Sequence, residues 1–578
     1  MLKFILYLVN MKLLNSLVFI LLSINLAAQN RYDVVIDEIM ADPGPQIGLP
    51  NNEWIELKNV SGIPINLQGW RIGDGSGQSG AMPNFILQPD SFVTICTGSA
   101  AAALSAFGRT ISVTSFPSLD NDGETIFLKS SSGMIIHAVE YSSSWYANEI
   151  KRDGGWTLEM IDPKSPCSGT NNWNASIDPK GGSPGKKNSV DAMNADIGAP
   201  KLQNAFVIDN QTLHLVFDEP VDSLSASSVA GYSIDGGNSV VTAIPVSPLF
   251  NKVELKLISP LSENTGYTIR VNNITDCRGN GIGADNTVRI ALPAEPVAGD
   301  LVVNEILFNP RSGAYDYVEV YNKSGKVFDA SRIYIANRNS DGVISSAKLF
   351  SAAPNYIFQD EYFVITENAD NLSLNYLVKN PKNVLAVSSL PSLPDDKGDV
   401  IITNVQGDVI DEVKYNKDWH FKLIENEEGI SLERIDPDRS STDAANWHSA
   451  ASTAGYGTPT YVNSQFRQTQ TADATIEISP KIFSPDNDGH DDIATIQYKV
   501  SEPGYLATIT IFDAAGRPVR VLVNNGTMAL SGYWTWDGLN DKNAKLPVGT
   551  YIMYTEIFNL QGRKKHFKNA IVLARKLN

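Results

Sequence analysis

Cysteine is scarce, with three copies in 578 residues, at Cys96, Cys167 and Cys277. No Cys-x-x-Cys occurs, which excludes the usual redox dithiol and zinc-ribbon patterns, and no dense disulfide framework carries the fold. Histidine is thin too: His137, His214, His420, His448, His490 and His566 stand singly, and no His-Glu-x-x-His run is present. Positive charge is short, because 46 Lys and Arg face 64 Asp and Glu, for a formal net charge of −18. Such a polyanion is unsuited to holding nucleic acid or anionic lipid through its overall field. No Walker A sequence occurs, and beyond the first 28 residues no apolar run is long enough to span a bilayer.

What is present begins with a leader. Met1 to Ala28 is basic at the front and apolar in the middle, and it ends in Leu26-Ala27-Ala28-Gln29, the small-residue exit of a secretory signal peptide. Met11 is an alternative start, since Leu13 to Ala28 alone makes a complete signal. No Cys follows the exit, so a lipid anchor is not expected. The sequence thus predicts an exported mature chain beginning near Gln29. Apolar residues make up 42% and charged ones 19%, which is globular composition, and the length suits about three to five domains. The 43 Gly and 30 Pro point to many turns and short strands.

The chain repeats itself. Asp33-Val-Val-Ile-Asp-Glu-Ile-Met returns as Asp300-Leu-Val-Val-Asn-Glu-Ile-Leu, and Glu53-Trp-Ile-Glu-Leu-Lys-Asn-Val-Ser returns as Asp316-Tyr-Val-Glu-Val-Tyr-Asn-Lys-Ser. Both copies then carry a Ser-x-Pro-Ser-Leu turn (Ser115, Ser389) and an aromatic pair (Tyr141 with Trp145, Tyr415 with Trp419). Both close with Leu-Glu-x-Ile-Asp-Pro (Leu158, Leu432), an Asn-Trp and a Gly/Pro exit. This is a duplicated domain with other material between the copies. Inside each copy the apolar period is two: Ile55, Leu57 and Asn59 face one way, Trp54, Glu56 and Lys58 the other. Asp-Gly and Ser-Gly turns separate the short strands, as in an antiparallel sandwich.

The order of these motifs resembles the lamin-tail domain family, over residues 30–190 and, more loosely, 298–465. That resemblance implies an immunoglobulin-like sandwich. Residues 195–293, with Leu213-His-Leu-Val-Phe-Asp-Glu-Pro-Val, Tyr232-Ser-Ile and Asp276-Cys-Arg-Gly-Asn, are similar to the bacterial Ig-like domains of S-layer and other surface proteins, which implies a spacer. Residues 472–578 carry Asp513-Ala-Ala-Gly, Trp536-Asp-Gly and Gly549-Thr-Tyr. They resemble the FlgD-like Ig module and the C-terminal modules of secreted Bacteroidetes proteins. The latter likeness implies an address for type 9 secretion; a plain final sandwich is the alternative. The expected fold is therefore all-β: four tandem Ig-like antiparallel β-sandwich domains after a cleaved signal peptide of residues 1–28.

Chemistry is harder to find. Gly181-Gly-Ser-Pro-Gly fits the nucleophile-elbow pattern, but the residue after Ser must donate an N–H to an oxyanion and Pro184 has none. Gly75-Ser-Gly-Gln-Ser-Gly fits a phosphate-loop pattern but runs into Pro83 where a helix should continue, so it reads as a loop. The acidic run from Asp486 to Asp492 is the better site. Asp486, Asp488, Asp491 and Asp492 crowd around a Gly turn and suit Ca²⁺, which takes six to eight oxygens; a self-capping polar turn is the alternative. Cys96 and Cys167 fall in one expected domain and Cys277 in the next, so Cys96–Cys167 is the expected disulfide, with three buried thiols the alternative. Trp70, Trp145, Trp156 and Trp419 are sugar-binding candidates only if exposed. The resulting expectation is an exported, non-catalytic surface protein for adhesion, scaffolding or display. Its expected partners are envelope or extracellular glycans or proteins and the type 9 machinery, not nucleic acid. A polysaccharide-binding accessory and a secreted hydrolase are the competing readings.

Overall fold

The computed structural model describes residues 30–466, 474–559 and 564–575. The expected signal peptide lies outside the described residues. The chain divides into two compact units, one running to Ser259 with Thr268–Val288 added, the other made of Pro260–Tyr267 and everything from Arg289 onward.

In the first unit, the strands Trp173–Ala175, Leu158–Met160, Val34–Met40, Trp54–Asn59, Phe92–Cys96 and Thr110–Ser112 form one six-stranded sheet in that order. Neighbours are antiparallel except the last pair. A three-stranded sheet, Arg71–Gly73, Thr125–Lys129 and Ile135–Glu140, completes the sandwich. Strand alternation sends Ile55, Leu57, Val93, Ile95 and Leu158 into one core with Trp70, Ile72, Ile126 and Leu128. The outer face of the large sheet is also covered: Trp54 packs with Met40, Leu49, Cys96 and Leu104 in a second, smaller core. Two further sheets follow, one of strands within residues 202–257 and one of Tyr232–Ile234, Gly266–Val271 and Thr287–Ala291.

The second unit repeats the first sheet strand for strand, as Trp447–Ser449, Leu432–Arg434, Leu301–Leu307, Tyr317–Asn322, Tyr362–Thr366 and Val384–Ala386. Its facing sheet gains one strand, Ile344–Leu349. Even the irregularity is copied. The register slips between Ile36 and Glu38 in one repeat and between Val303 and Glu305 in the other. Asp37 and Asn304 are therefore equivalent bulge residues, and a bulge re-aims the side chains around it. The terminal module is a sandwich of a three-stranded and a five-stranded sheet around Trp536, Phe483, Ile509 and Met553. The chain is an all-β protein built of Ig-like sandwiches.

Candidate functional site

Three strands of each repeat place a glutamate side by side on the outer face of the large sheet. Glu38 lies directly across from Glu56 and from Glu159, and Glu305 from Glu319 and Glu433. All six are buried. Carboxylates in such a place need donors, and the exit segment of each repeat supplies them. In the first repeat the Ser183 N–H donates to Glu38 Oε1 at 2.7 Å and the Gly185 N–H to Glu56 Oε1 at 2.7 Å. The Ser183 hydroxyl donates to Glu159 Oε1 at 2.8 Å, and the Ser189 hydroxyl and Val190 N–H reach Glu159 Oε2 at 2.7 and 3.1 Å. Asn188 Nδ2 binds the backbone carbonyls of Asp37 and Met160, both at 2.9 Å.

The second repeat does the same with Thr458, Thr460, Asn463, Ser464 and Gln465. The Thr458 N–H reaches Glu305 at 2.9 Å, the Thr460 N–H reaches Glu319 at 2.6 Å and the Gln465 N–H reaches Glu433 at 2.8 Å. Asn463 Nδ2 spans the carbonyls of Asn304 and Arg434, both at 2.9 Å. Gly182-Ser-Pro-Gly-Lys-Lys-Asn-Ser and Gly457-Thr-Pro-Thr-Tyr-Val-Asn-Ser are thus the same clasp. The glycine is required by close approach: a Cβ on Gly182 would stand 2.8 Å from Glu38 Oε1, and one on Gly457 2.7 Å from the Tyr317 hydroxyl. Ser183 is buried and bonded to carboxylate, so the elbow-like sequence is a fastening rather than a nucleophile.

The surroundings of the clasps favour protonated carboxyls. Thr458 Oγ1 lies 3.0 Å from Glu305 Oε2 and 2.9 Å from Glu433 Oε1, and one hydroxyl proton serves only one of them. The other contact requires a proton on a carboxyl. Burial, with Glu305 beside it, pushes Glu433 up to about 8, and burial raises Glu319 well above the carboxylate range. Burial likewise lifts Glu56 to about 8 and raises Glu38 well above its ordinary value, with Glu56 and Glu159 adding repulsion at Glu38.

The cysteines depart from expectation. Cys167 pairs with Cys277, not with Cys96. Cys96 sits in the apolar pocket under Trp54 and Leu104, where burial pushes its thiol up to about 11. Cys167 lies in the loop between Leu158–Met160 and Trp173–Ala175, with its Cα 6.1 Å from that of Cys277. Elsewhere in the same unit, Arg31 donates to the carbonyls of Val221 and Leu249 and stacks 4.2 Å from the Phe250 ring.

The acidic loop brings three of its four expected ligands together. Carboxylate oxygens of Asp486, Asp488 and Asp492 lie within 4.8 Å of one another. Asp491 turns aside, 3.3 Å from His490 Nδ1. The carboxylates also cap their own turn: Asp492 accepts from the N–H groups of Asn487 and Gly489 at 2.6 and 2.8 Å, and Asp488 from that of His490 at 3.0 Å. Of the tryptophans, Trp70 is fully buried, while Trp145, Trp156 and Trp419 are partly buried against the cores. Sequence reasoning missed the six glutamates, although all of them lie in the repeated segments.

Comparison with known proteins fits this architecture. Residues 27–143 match the Lamin Tail Domain, residues 198–290 the Bacterial Ig-like domain, and residues 476–573 the CHU_C Type IX secretion signal domain. The chain is an exported, multi-domain protein of the Bacteroidetes style. Its last sandwich is a secretion-signal module, which places the protein at the cell surface or outside the cell. No curated protein matches the sequence significantly. Among solved structures, the N-terminal part of the bacterial S-layer protein SbsC is 17% identical, covering 28% of this chain and 39% of that one at a TM-score of 0.15. A tetra-tandem repeat from the extending region of a large adhesion protein is 12% identical, covering 94% and 99% at 0.13. A DUF4876 family protein from Bacteroides thetaiotaomicron VPI-5482 is 14% identical, covering 36% and 84% at 0.17. This chain therefore spans about two fifths of the SbsC fragment.

Proposed function

We propose that this exported protein is non-catalytic and serves adhesion, scaffolding or display, with envelope or extracellular glycans or proteins as partners. One observation carries the reading: the buried glutamate triads of both repeats, six carboxyls in all, are engaged in fastening the exit segments. Carboxylates committed in this way are not poised as a general acid and base facing a substrate. In the second unit, Lys379, Tyr461, Lys499 and Tyr533 line a groove of about 690 Å³, which favours a glycan among the partner classes. The purified mature chain is expected to be retained by envelope glycans or envelope proteins and not by duplex DNA. Turnover in a broad hydrolase panel would overturn the reading. Fusing residues 467–578 to a periplasmic reporter is expected to carry it outside the cell; retention inside would deny the module its role as a sufficient address.

Calcium belongs to the same proposal. Three convergent carboxylates repel one another, and a bound cation would relieve that repulsion. The full chain is expected to show a higher-melting terminal module in millimolar Ca²⁺ than in chelator, by about 2.7 kcal/mol at a hundredfold excess over Kd. Asp486→Asn with Asp488→Asn is expected to erase the difference. Identical melting of the unaltered chain in both buffers would leave the loop a self-capping turn.

A further inference from the structure

The two clasps share a backbone plan and differ in how completely their carboxylates are served. In the second repeat the bulge residue Asn304 donates Nδ2 to Glu319 Oε1 at 2.8 Å and to Asn463 Oδ1 at 2.6 Å, and the Tyr317 hydroxyl donates to Glu305 Oε1 at 2.6 Å. The first repeat puts Asp37 and Trp54 at those positions. An aspartate has no N–H to give. Both oxygens of Asp37, together with Glu38 Oε2 and Glu56 Oε2, are buried without a hydrogen-bond partner among the described residues. The charged groups facing Asp37 are Lys58, Glu56 and Glu159 on the neighbouring strands and Asp191 beyond the clasp, and Asp191 is already paired with Lys187 at 2.8 Å. Facing the second cluster are Glu305, Glu319 and Glu433 themselves and Tyr461, with neutral Asn304 in the bulge.

We propose that the two clasps are proton-operated latches set at different pH, and that the bulge residue, Asp37 in one and Asn304 in the other, makes the first release its exit segment at the lower pH. When the carboxyls are protonated, the exit segment lies shut across the sheet. When Asp37 ionises beside Glu56 and Glu159, an unserved charge is left in a dry site, and opening the clasp lets water reach it. The second clasp carries one carboxyl fewer and has a donor where the first has an acceptor. Segment 182–190 leads out of the first repeat, so its release loosens that repeat's connection to the Ig-like domain after it. Burial raises the Asp37 carboxyl to about 7, so the first clasp carries a titrating group that the second lacks.

Hydrogen exchange of the full-length protein, read by mass spectrometry between pH 5 and 8.5 and corrected for intrinsic rates, tests this. Protection of peptides over residues 183–190 is expected to fall with rising pH, by about tenfold per unit for each proton released, until the closed-state pKa is passed. Peptides over residues 458–465, with one titrating carboxyl fewer, are expected to reach the same loss only at higher pH. Asp37→Asn should move the first transition up towards that of the second. Asn304→Asp should move the second one down, and because it is read in the other repeat, it decides the matter even if the first variant misfolds. Flat protection of both segments across the range, or transitions at one pH that neither variant moves, would overturn the proposal.

Discussion

Cys167→Ser together with Cys277→Ser is expected to destabilise the first unit by about 3–5 kcal/mol. The two residues are 110 apart in sequence, so the bond closes a long loop. In the chain-entropy account a loop of roughly 100 residues is worth about 4.7 kcal/mol, and removal of a native disulfide commonly costs 2–5. At about 2–4 °C per kcal/mol for a unit of this size, the melting temperature should drop by roughly 10 °C. Calorimetry in oxidising and reducing buffer checks it. Reductant should bring the unaltered protein down to the level of the double variant and leave the double variant where it was. A non-reduced digest should yield a peptide joining Cys167 to Cys277 and none containing Cys96. If Cys96→Ala alone made the protein insensitive to reductant, the pairing would be wrong.

That pairing marks where the sequence stops being informative. Period-two alternation in Trp54–Asn59 and the copied Glu-Ile and Leu-Glu segments were enough for two equivalent sandwiches, because strand faces follow directly from alternation. Tyr141 and Tyr415 were legible as members of a repeated aromatic pair, and the structure adds what they do: their hydroxyls donate to the carbonyls of Asp120 and Pro394 at 2.7 and 2.9 Å. Which loop of one module meets which loop of the next is a matter of packing, and nothing local to Cys96 or Cys167 records it. Cys96 ends an interior strand and faces an apolar pocket, whereas Cys167 sits in a loop beside the next module. The glutamate clasp failed to show for a different reason. Glu38, Glu56 and Glu159 stand at polar positions of their strands, where alternation alone says solvent, and only the folded exit segment turns that face into an interior. The signal was available in the repetition itself, since a glutamate kept at the same three strand positions in both copies has a reason to be there. Asp491 shows the finer limit: a sequence counts carboxylates in a turn and does not say which of them point inward.

Glu305→Ala is expected to cost the second repeat about 3–5 kcal/mol, the range for breaking a buried charged or proton-sharing network by removing one member. Four donors converge on this carboxyl: the Tyr317 and Ser431 hydroxyls and the N–H and hydroxyl of Thr458. Alanine removes the acceptor and leaves them buried, at about 1–3 kcal/mol for each group that finds no water. Glu38→Ala should cost less, because only the Thr157 hydroxyl and the Ser183 N–H lose their acceptor, and the repulsion among Glu38, Glu56 and Glu159 is relieved at the same time. The comparison should depend on pH. Unfolded carboxyls titrate near 4, whereas burial holds Glu56 and Glu433 up to about 8, so between those values the folded repeats bind more protons and lose stability as pH rises. Removing Glu38 should flatten that slope, so the cost of Glu38→Ala should shrink from pH 5 to pH 8. Chemical denaturation of the two variants at both pH values measures this. Equal losses at Glu38 and Glu305, unchanged by pH, would mean that the glutamates act as filler and that the donors aimed at them carry no weight.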